Sequence, residues 1–341
     1  MGFSDLLIHT PNGLYCPSGD FYVDPRRSVD RAVITHAHAD HARAGHRSVI
    51  AHPLTLAVIR KRIDPRVKGE ALEYGTKVSR NGVTLSLHPA GHVPGSAQVR
   101  IEYRGRSVVV TGDYKLEDDG LSEPYEQQRC HWFISECTFG IPLFRWKSQA
   151  EALEQIIGIY EMNRAKGYTT VLTAYALGKA QRLLHMLGPR IPEIAVHRNI
   201  AAMNHTLEKA GLALPAAATI RAGSAATHTP DRIIIAPSQT LRESWAGQIG
   251  PMRVHTVSGW MALPSRRWSV NGIALSDHAD WPGLNRAVRE SGAERITLGH
   301  GYVKEFSLSL QREGLPVDLP GENGVNPVSP AGGQQLAFSF L

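Results

Sequence analysis

The sequence predicts an α/β protein in which a strand-rich frame is interrupted by an inserted strand–helix module. Three observations carry this. The first 140 residues read mostly as short strands that end in polar residues, the middle alternates strands with amphipathic helices, and near "GIALSDHAD" the first style resumes. The expected boundaries are a frame of residues 1–143 and 268–325, an insert of 144–267, and a tail of 326–341.

Element by element, "FYVD" and "AVITH" are apolar runs with polar ends, and "VTLSLHPAGH" alternates Val83, Leu85 and Leu87. "QVRIEYRGRSVVVTGD" reads as a hairpin turning near Gly105, and "WFISEC" as a buried strand ending in an acid. The strand holding the first histidine is expected to end at Thr35, and three strands are expected to deliver His36, Asp113 and Glu136 at their ends, where sites on rigid sheets usually lie. In the middle, Ser148 and Glu151 form a capping box. Leu153, Ile156, Ile157 and Tyr160 follow at helical spacing, and Lys166-Gly167 stops the helix. "TTVLTAY", "EIAVH" and "RIIIAP" are strands, and "GKAQRLLHMLGP" is a helix ended by Gly188-Pro189. The segment from Glu313 is rich in Pro and Gly and is expected to leave the core.

Composition narrows the class. The 341 residues are 42% hydrophobic, with no run long enough to span a membrane. "MGFSDLLIHTPNG" lacks a basic region followed by a long apolar one, so no signal peptide is expected. Cys16, Cys130 and Cys137 are odd in number and far apart, which fits a reducing cytoplasm and argues against a disulfide framework or a thiolate zinc site. The net charge of +6 is unevenly placed. Residues 141–270 hold 15 Lys and Arg against 7 Asp and Glu, so the insert is basic and the frame nearly neutral.

The densest chemistry is "ITHAHADHARAGH", which contains His36, His38, Asp40 and His41 as H-x-H-x-D-H. Period-2 spacing points His36 and His38 the same way, and Asp40 and His41 follow where a helix is expected to begin. Imidazole suits zinc and a carboxylate can bridge two ions, so the cluster reads as two adjacent half-sites. Further ligand types recur at strand ends: His92 in "PAGHVPGSA", Asp113 in "VVVTGDY" and His300 in "ITLGHGY".

In that order "THAHADH", "GHVPGSA" and "TGDY" resemble the metallo-β-lactamase superfamily. "SECTFG", "LSDHADW" and "LGHG" resemble the three extra motifs of its β-CASP branch of DNA and RNA nucleases. "TAYALGKAQRLLHML" is similar to that branch's cap segment, with Lys179 where Arg is expected. Over nearly its whole length the chain looks most like bacterial ligase-associated DNA-damage-response exonucleases. The resemblance implies a four-layer αββα metallo-β-lactamase fold with an inserted α/β β-CASP cap. It implies two Zn²⁺, with Mn²⁺ as a substitute. One would be held by His36, His38, His92 and Asp113, the other by Asp40, His41, His300 and the bridging Asp113. Asp24 would orient a ligand histidine, and DNA ligase and helicase would be partners.

Two such ions can share a hydroxide that attacks phosphorus in line. Asp40, His278, Glu136 and Asp24 are the catalytic candidates, with His278 as the acid protonating the leaving 3′-oxygen and Glu136 as its partner. A basic insert suits a polyanionic strand, and Lys115, Lys179, Arg182, Arg266 and Arg267 are the candidate phosphate contacts. The leading expectation is a zinc-dependent 5′-to-3′ DNA exonuclease in repair. The alternative is a β-CASP ribonuclease, because His300 is the residue RNA enzymes of the branch carry and eukaryotic DNA enzymes tend to have Val. A non-catalytic scaffold is opposed by the intact ligand set, and a small-ester hydrolase by the long basic insert. Leu336, Phe338 and Phe340 in the terminal "GGQQLAFSFL" resemble a sliding-clamp docking peptide, the alternative being that Leu336 to Phe340 folds back as an edge strand or covers the chain's own core. No membrane partner is expected.

Overall fold

A computed structural model of the chain describes residues 3–220, 230–263 and 271–318. Arg266 and Arg267, and the tail with Leu336, Phe338 and Phe340, lie outside the described residues. The chain divides into two compact units: Met1–Phe144 together with the segment that begins at His278, and Arg145–Asp277.

The first unit holds two six-stranded sheets. In one, Ile8–Thr10, Gly13–Cys16 and Phe21–Val23 pair antiparallel, then Arg31–Val33, Ser48–Ala51 and Lys68–Ala71 continue in parallel. In the other, Lys77–Arg80, Val83–Pro89, Ala97–Tyr103 and Arg106–Val110 pair antiparallel, and Trp132–Cys137 and Arg295–Gly301 add parallel strands. The expected hairpin turns through Arg104 and Gly105, both with positive φ (48° and 77°), as a two-residue turn between twisted strands demands.

Alternation along these strands sorts the side chains. Phe21, Val23, Val33 and Ile50 of the first sheet cluster with Leu85, Val99, Val108 and Ile134 of the second. The other face of the second sheet presents Val109, Phe133, Ile296 and Leu298, which pack with Leu284 and Val288 of the helix Trp281–Glu290 and Phe306 and Leu310 of the helix Val303–Arg312. The helix Pro53–Arg62 packs on Ser48–Ala51 and Lys68–Ala71 of the first sheet. The layers are therefore helix, sheet, sheet, helices. Each fully buried aliphatic or aromatic side chain contributes roughly 1.5–3 kcal/mol to this core.

The second unit is a parallel sheet in the order Ala218–Ile220, Glu193–His197, Arg232–Ala236, Thr169–Thr173, Met252–Val257, Gly272–Ile273. Its central strands Thr169–Thr173 and Arg232–Ala236 are buried at every residue but Arg232, as a parallel sheet covered on both faces requires. Helices Gln149–Ala165, Lys179–Leu187 and Arg198–Lys209 accompany them, the first opened by the Ser148–Glu151 capping box.

Three expectations shift. The second unit runs to Asp277, ten residues beyond the expected 267, because Gly272–Ile273 is the edge strand of its sheet and Asp277 is ion-paired within it. The ladder before the histidine motif stops at Val33, and Asp113 follows Val110 by a short loop. Asp40 and His41 lie in a single turn rather than a helix, with only the amides of His41 and Ala42 returning to the His38 carbonyl (3.1 and 2.8 Å). All three cysteines are buried and free. Among the described residues no helix is long and apolar enough to cross a membrane.

Candidate metal centre

Loops at the ends of neighbouring strands in the first unit bring the histidine motif, the His92 loop and the Asp113 loop to one place. The Ala97 amide donates to the Thr35 carbonyl at 2.8 Å, which ties the start of a second-sheet strand to the end of a first-sheet strand. Gly112 adopts φ +56°, and a Cβ there would stand 2.7 Å from Thr35 Cβ, so only glycine lets the Asp113 loop come this close.

Three ring nitrogens then face one another. His36 Nε2 and His92 Nε2 each lie 3.1 Å from His38 Nδ1, and Asp113 Oδ2 is 3.5 Å from the first and 3.7 Å from the second. Asp113 Oδ1 lies 3.3 Å from His41 Nε2, which is 3.9 Å from Asp40 Oδ2. Two sets with converging ligand atoms therefore share Asp113: His36, His38, His92 and Asp113, and Asp40, His41 and Asp113.

The tautomers are set from behind. Asp24 Oδ1 accepts from the Thr35 amide (2.8 Å), and its Oδ2 accepts from Thr35 Oγ1 (2.6 Å) and His41 Nδ1 (2.8 Å). With its proton given to Asp24, Thr35 Oγ1 accepts from His36 Nδ1 at 3.2 Å. Both rings thus spend their Nδ1 protons outward and direct Nε2 inward, where a bound cation would take the lone pair. His41 Nε2 is buried with no well-aligned hydrogen bond. Ring nitrogens and carboxylate oxygens converging on one point in this way are what a cation site requires. Tetrahedral zinc nitrogens would sit about 3.3 Å apart, close to the spacings found. The residues present therefore fit a divalent metal.

Charge follows from this packing. Burial, together with the neighbouring His41, holds His36 well below the usual imidazole range. Burial also opposes protonation of His41, but Asp113 and Asp24 outweigh it and raise the group well above that range. Burial works against the Asp113 carboxylate, yet His41 and His278 hold it well below the usual acid range.

His300 takes φ +52°, followed by Gly301 at +96°, where a Cβ would meet the Cys137 carbonyl at 2.2 Å. Its ring stacks on His41 with centroids 5.3 Å apart, so it stands beside the second set rather than among its converging atoms. His278 Nδ1 donates to Glu136 at 2.9 and 3.0 Å, and its ring lies 4.6 Å from that of His92. Glu136 is fixed by the Tyr114 amide (2.9 Å) and by the Thr138 hydroxyl, and Asp113, Glu136 and His278 form a third convergent group.

The phosphate candidates fare differently. Lys115 is buried on Asp119 at 2.5 Å. In the second unit Lys179 meets Asp277 at 2.9 Å and the Leu275 carbonyl at 2.8 Å. Arg182 meets Asp277 at 3.3 Å and the Ser276 carbonyl at 2.6 Å. These three cations, at most 4% exposed, are spent on internal carboxylates and cannot serve as surface phosphate contacts. Sequence reading also missed Thr35, Tyr114 and Thr138 as supports. Thr35 adjoins the motif, but neither periodicity nor charge marks any of the three.

Residues 23–158 match the metallo-beta-lactamase superfamily model. This stretch of the chain is similar to metallo-beta-lactamase domains. Such domains bind a divalent metal, and the His/Asp cluster lies where one would be held. Among curated relatives, a "Probable DNA ligase" of Opitutus terrae is 29% identical over 92% of this chain, which spans 31% of that protein. "Ribonuclease TTHA0252" of Thermus thermophilus is 28% identical over 52% of the chain and 47% of its own length. "Endoribonuclease ysh1" of Aspergillus fumigatus is 34% identical over 35% of the chain and 14% of its own. The chain thus spans less than half of each relative. A crystal structure of a protein of unknown function from Enterococcus faecalis V583 has the same fold, with a TM-score of 0.52, 12% identity, and coverage of 80% of this chain and 75% of that one.

Proposed function

We propose that the chain is a metal-dependent nuclease of the β-CASP branch, acting as a zinc-dependent 5′-to-3′ DNA exonuclease in repair, with Mn²⁺ as a substitute metal and DNA ligase and helicase as partners. The observation that carries it is the shared Asp113: two converging ligand sets meet at one carboxylate beside the His278–Glu136 pair. Two divalent ions there would activate a water and neutralise charge on a phosphodiester.

The chain's own residues do the rest. Asp113 links the two half-sites, Asp24 and Thr35 keep His41 and His36 turned inward, and His300 backs His41. His278 gives its Nδ1 proton to Glu136 as a hydrogen bond, which leaves Nε2 to hand a proton to the departing 3′-oxygen. The Glu136 carboxylate holds the ring orientation and complements its positive form.

DNA is favoured by the ligase relative, which aligns with nearly the whole chain. RNA is the second reading, supported by the ribonuclease relatives and by His300. Purified chain with end-labelled DNA and RNA, with and without a 5′-phosphate and under several metals, separates them. Mononucleotides released from the 5′ end of DNA alone support the first reading; internal cuts in RNA alone replace it with the second.

A further inference from the structure

The first unit carries four arginines that the metal centre does not use. Arg26 and Arg27 follow Asp24, Arg43 and Arg47 follow His41, and all four are exposed. Their two loops are laced into one surface. The Arg47 amide donates to the Val29 carbonyl (3.0 Å), the Ser48 amide to the Asp30 carbonyl (2.9 Å), and the Val29 amide to His46 Nδ1 (3.3 Å). Gly45 packs so close that a Cβ there would lie 2.5 Å from Ser28 Oγ. Both loops hang from the metal centre, since Asp24 on one binds His41 on the other at 2.8 Å.

Among the described residues none of these guanidiniums is in an ion pair, whereas Arg31, Arg80 and Arg106 of the same unit are paired. The carboxylates on these loops outside the metal set are Asp24, which is taken up by Thr35 and His41, Asp30, and the adjoining Asp64, which accepts from the Gly45 and Arg66 amides (3.4 and 3.0 Å). None of the exposed large apolar side chains of the described chain lies here; those are Leu143, Met162, Tyr175 and Leu308. Positive charge without apolar anchors suits a repeating anion better than a peptide or a stacked base.

We propose that Arg26, Arg27, Arg43 and Arg47 form the track for the phosphodiester backbone of the strand being cut, on the Asp40–His41 side of the centre. The proposal rests on the nuclease reading. The planar guanidinium forks would take phosphates without regard to base.

The test uses the full chain and a fluorescent single-stranded oligonucleotide in EDTA, with affinity measured across a roughly fourfold range of salt. Changing all four arginines to Ala should flatten the log–log salt dependence by about 0.7 for each phosphate that is no longer neutralised. Changing all four to Lys should keep most of the slope, and Lys61→Ala with Arg62→Ala, on the helix Pro53–Arg62, should leave it unchanged. An unchanged slope in the Ala variant, or equal loss in the Ala and Lys variants, overturns the track. Cleavage by the wild type is measured separately with metal present. A wild type that cuts neither DNA nor RNA overturns the nuclease reading, whereas an unchanged slope in an active enzyme overturns the track alone.

Discussion

The two units treat buried polar groups in opposite ways. At the strand ends of the first, His36, His38, His92 and His41 turn ring nitrogens toward one another and toward Asp113, and His41 Nε2 lacks a well-aligned hydrogen bond. Around the start of the helix Lys179–Leu187 in the second, everything is matched: Lys179 and Arg182 share Asp277, and Gln181 donates to Asn204 at 2.7 Å. A closed network holds shape, whereas an open one of ligand-type atoms is incomplete without a cation. The density of charged residues does not distinguish the two; the matching of donors to acceptors does.

Substitutions can break this contrast. The largest effect is expected for His278→Ala, which should slow strand cleavage by about 10²–10⁴-fold while metal content stays unchanged. Metal lost in step with activity would make His278 a ligand. On the closed side, Asp277→Ala removes the buried carboxylate that Lys179 and Arg182 share. It should cost about 3–5 kcal/mol in urea unfolding, the usual penalty for breaking a buried ion pair. A loss under about 1 kcal/mol, the size expected of a surface pair, would mean that the cluster is solvated.

Smaller effects sharpen the comparison. Asp24→Ala frees the His41 ring and should weaken metal binding by about 10–100-fold, read by chelator competition, without abolishing it. Unchanged affinity would remove Asp24 from the orienting role.

The smallest effect is a pH dependence away from the centre. Burial lowers His52 to about 4, against the partial pull of Glu73, and its ring stacks on Tyr74 at 4.1 Å. The folded chain therefore prefers neutral His52. That stability is present above the ordinary imidazole value of 6.5 and is lost as pH falls from there toward about 4. The urea midpoint should drop across this window, and less so in His52→Gln. Equal slopes would show that His52 is not the group responsible.

Much of the converging His/Asp cluster was legible because H-x-H-x-D-H is local and dense, and the capping box and the turn at Gly105 were legible because they too are local. The fate of the cations was not. A lysine or arginine reads as exposed unless its partner is visible, and Asp277 lies far along the chain from Lys179 and Arg182. Asp119 lies only four residues after Lys115, but nothing in that spacing shows that the pair is buried. The late return of the second unit was hidden for a similar reason: a two-residue edge strand, Gly272–Ile273, has no periodicity to detect. The four arginines beside the motif were in plain view, yet only their lack of partners among the described residues sets them apart from ordinary surface charge.

The central claim is that Asp113 joins two half-sites into one metal centre. The direct measurement is calorimetric zinc titration of the metal-stripped chain, wild type beside Asp113→Ala, with bound metal counted after dialysis. The account predicts two ions per wild-type chain, matching the two ligand sets that share Asp113, and weakened binding at both in the variant. A wild type that retains no divalent ion, or a variant that keeps both at undiminished affinity, would contradict it.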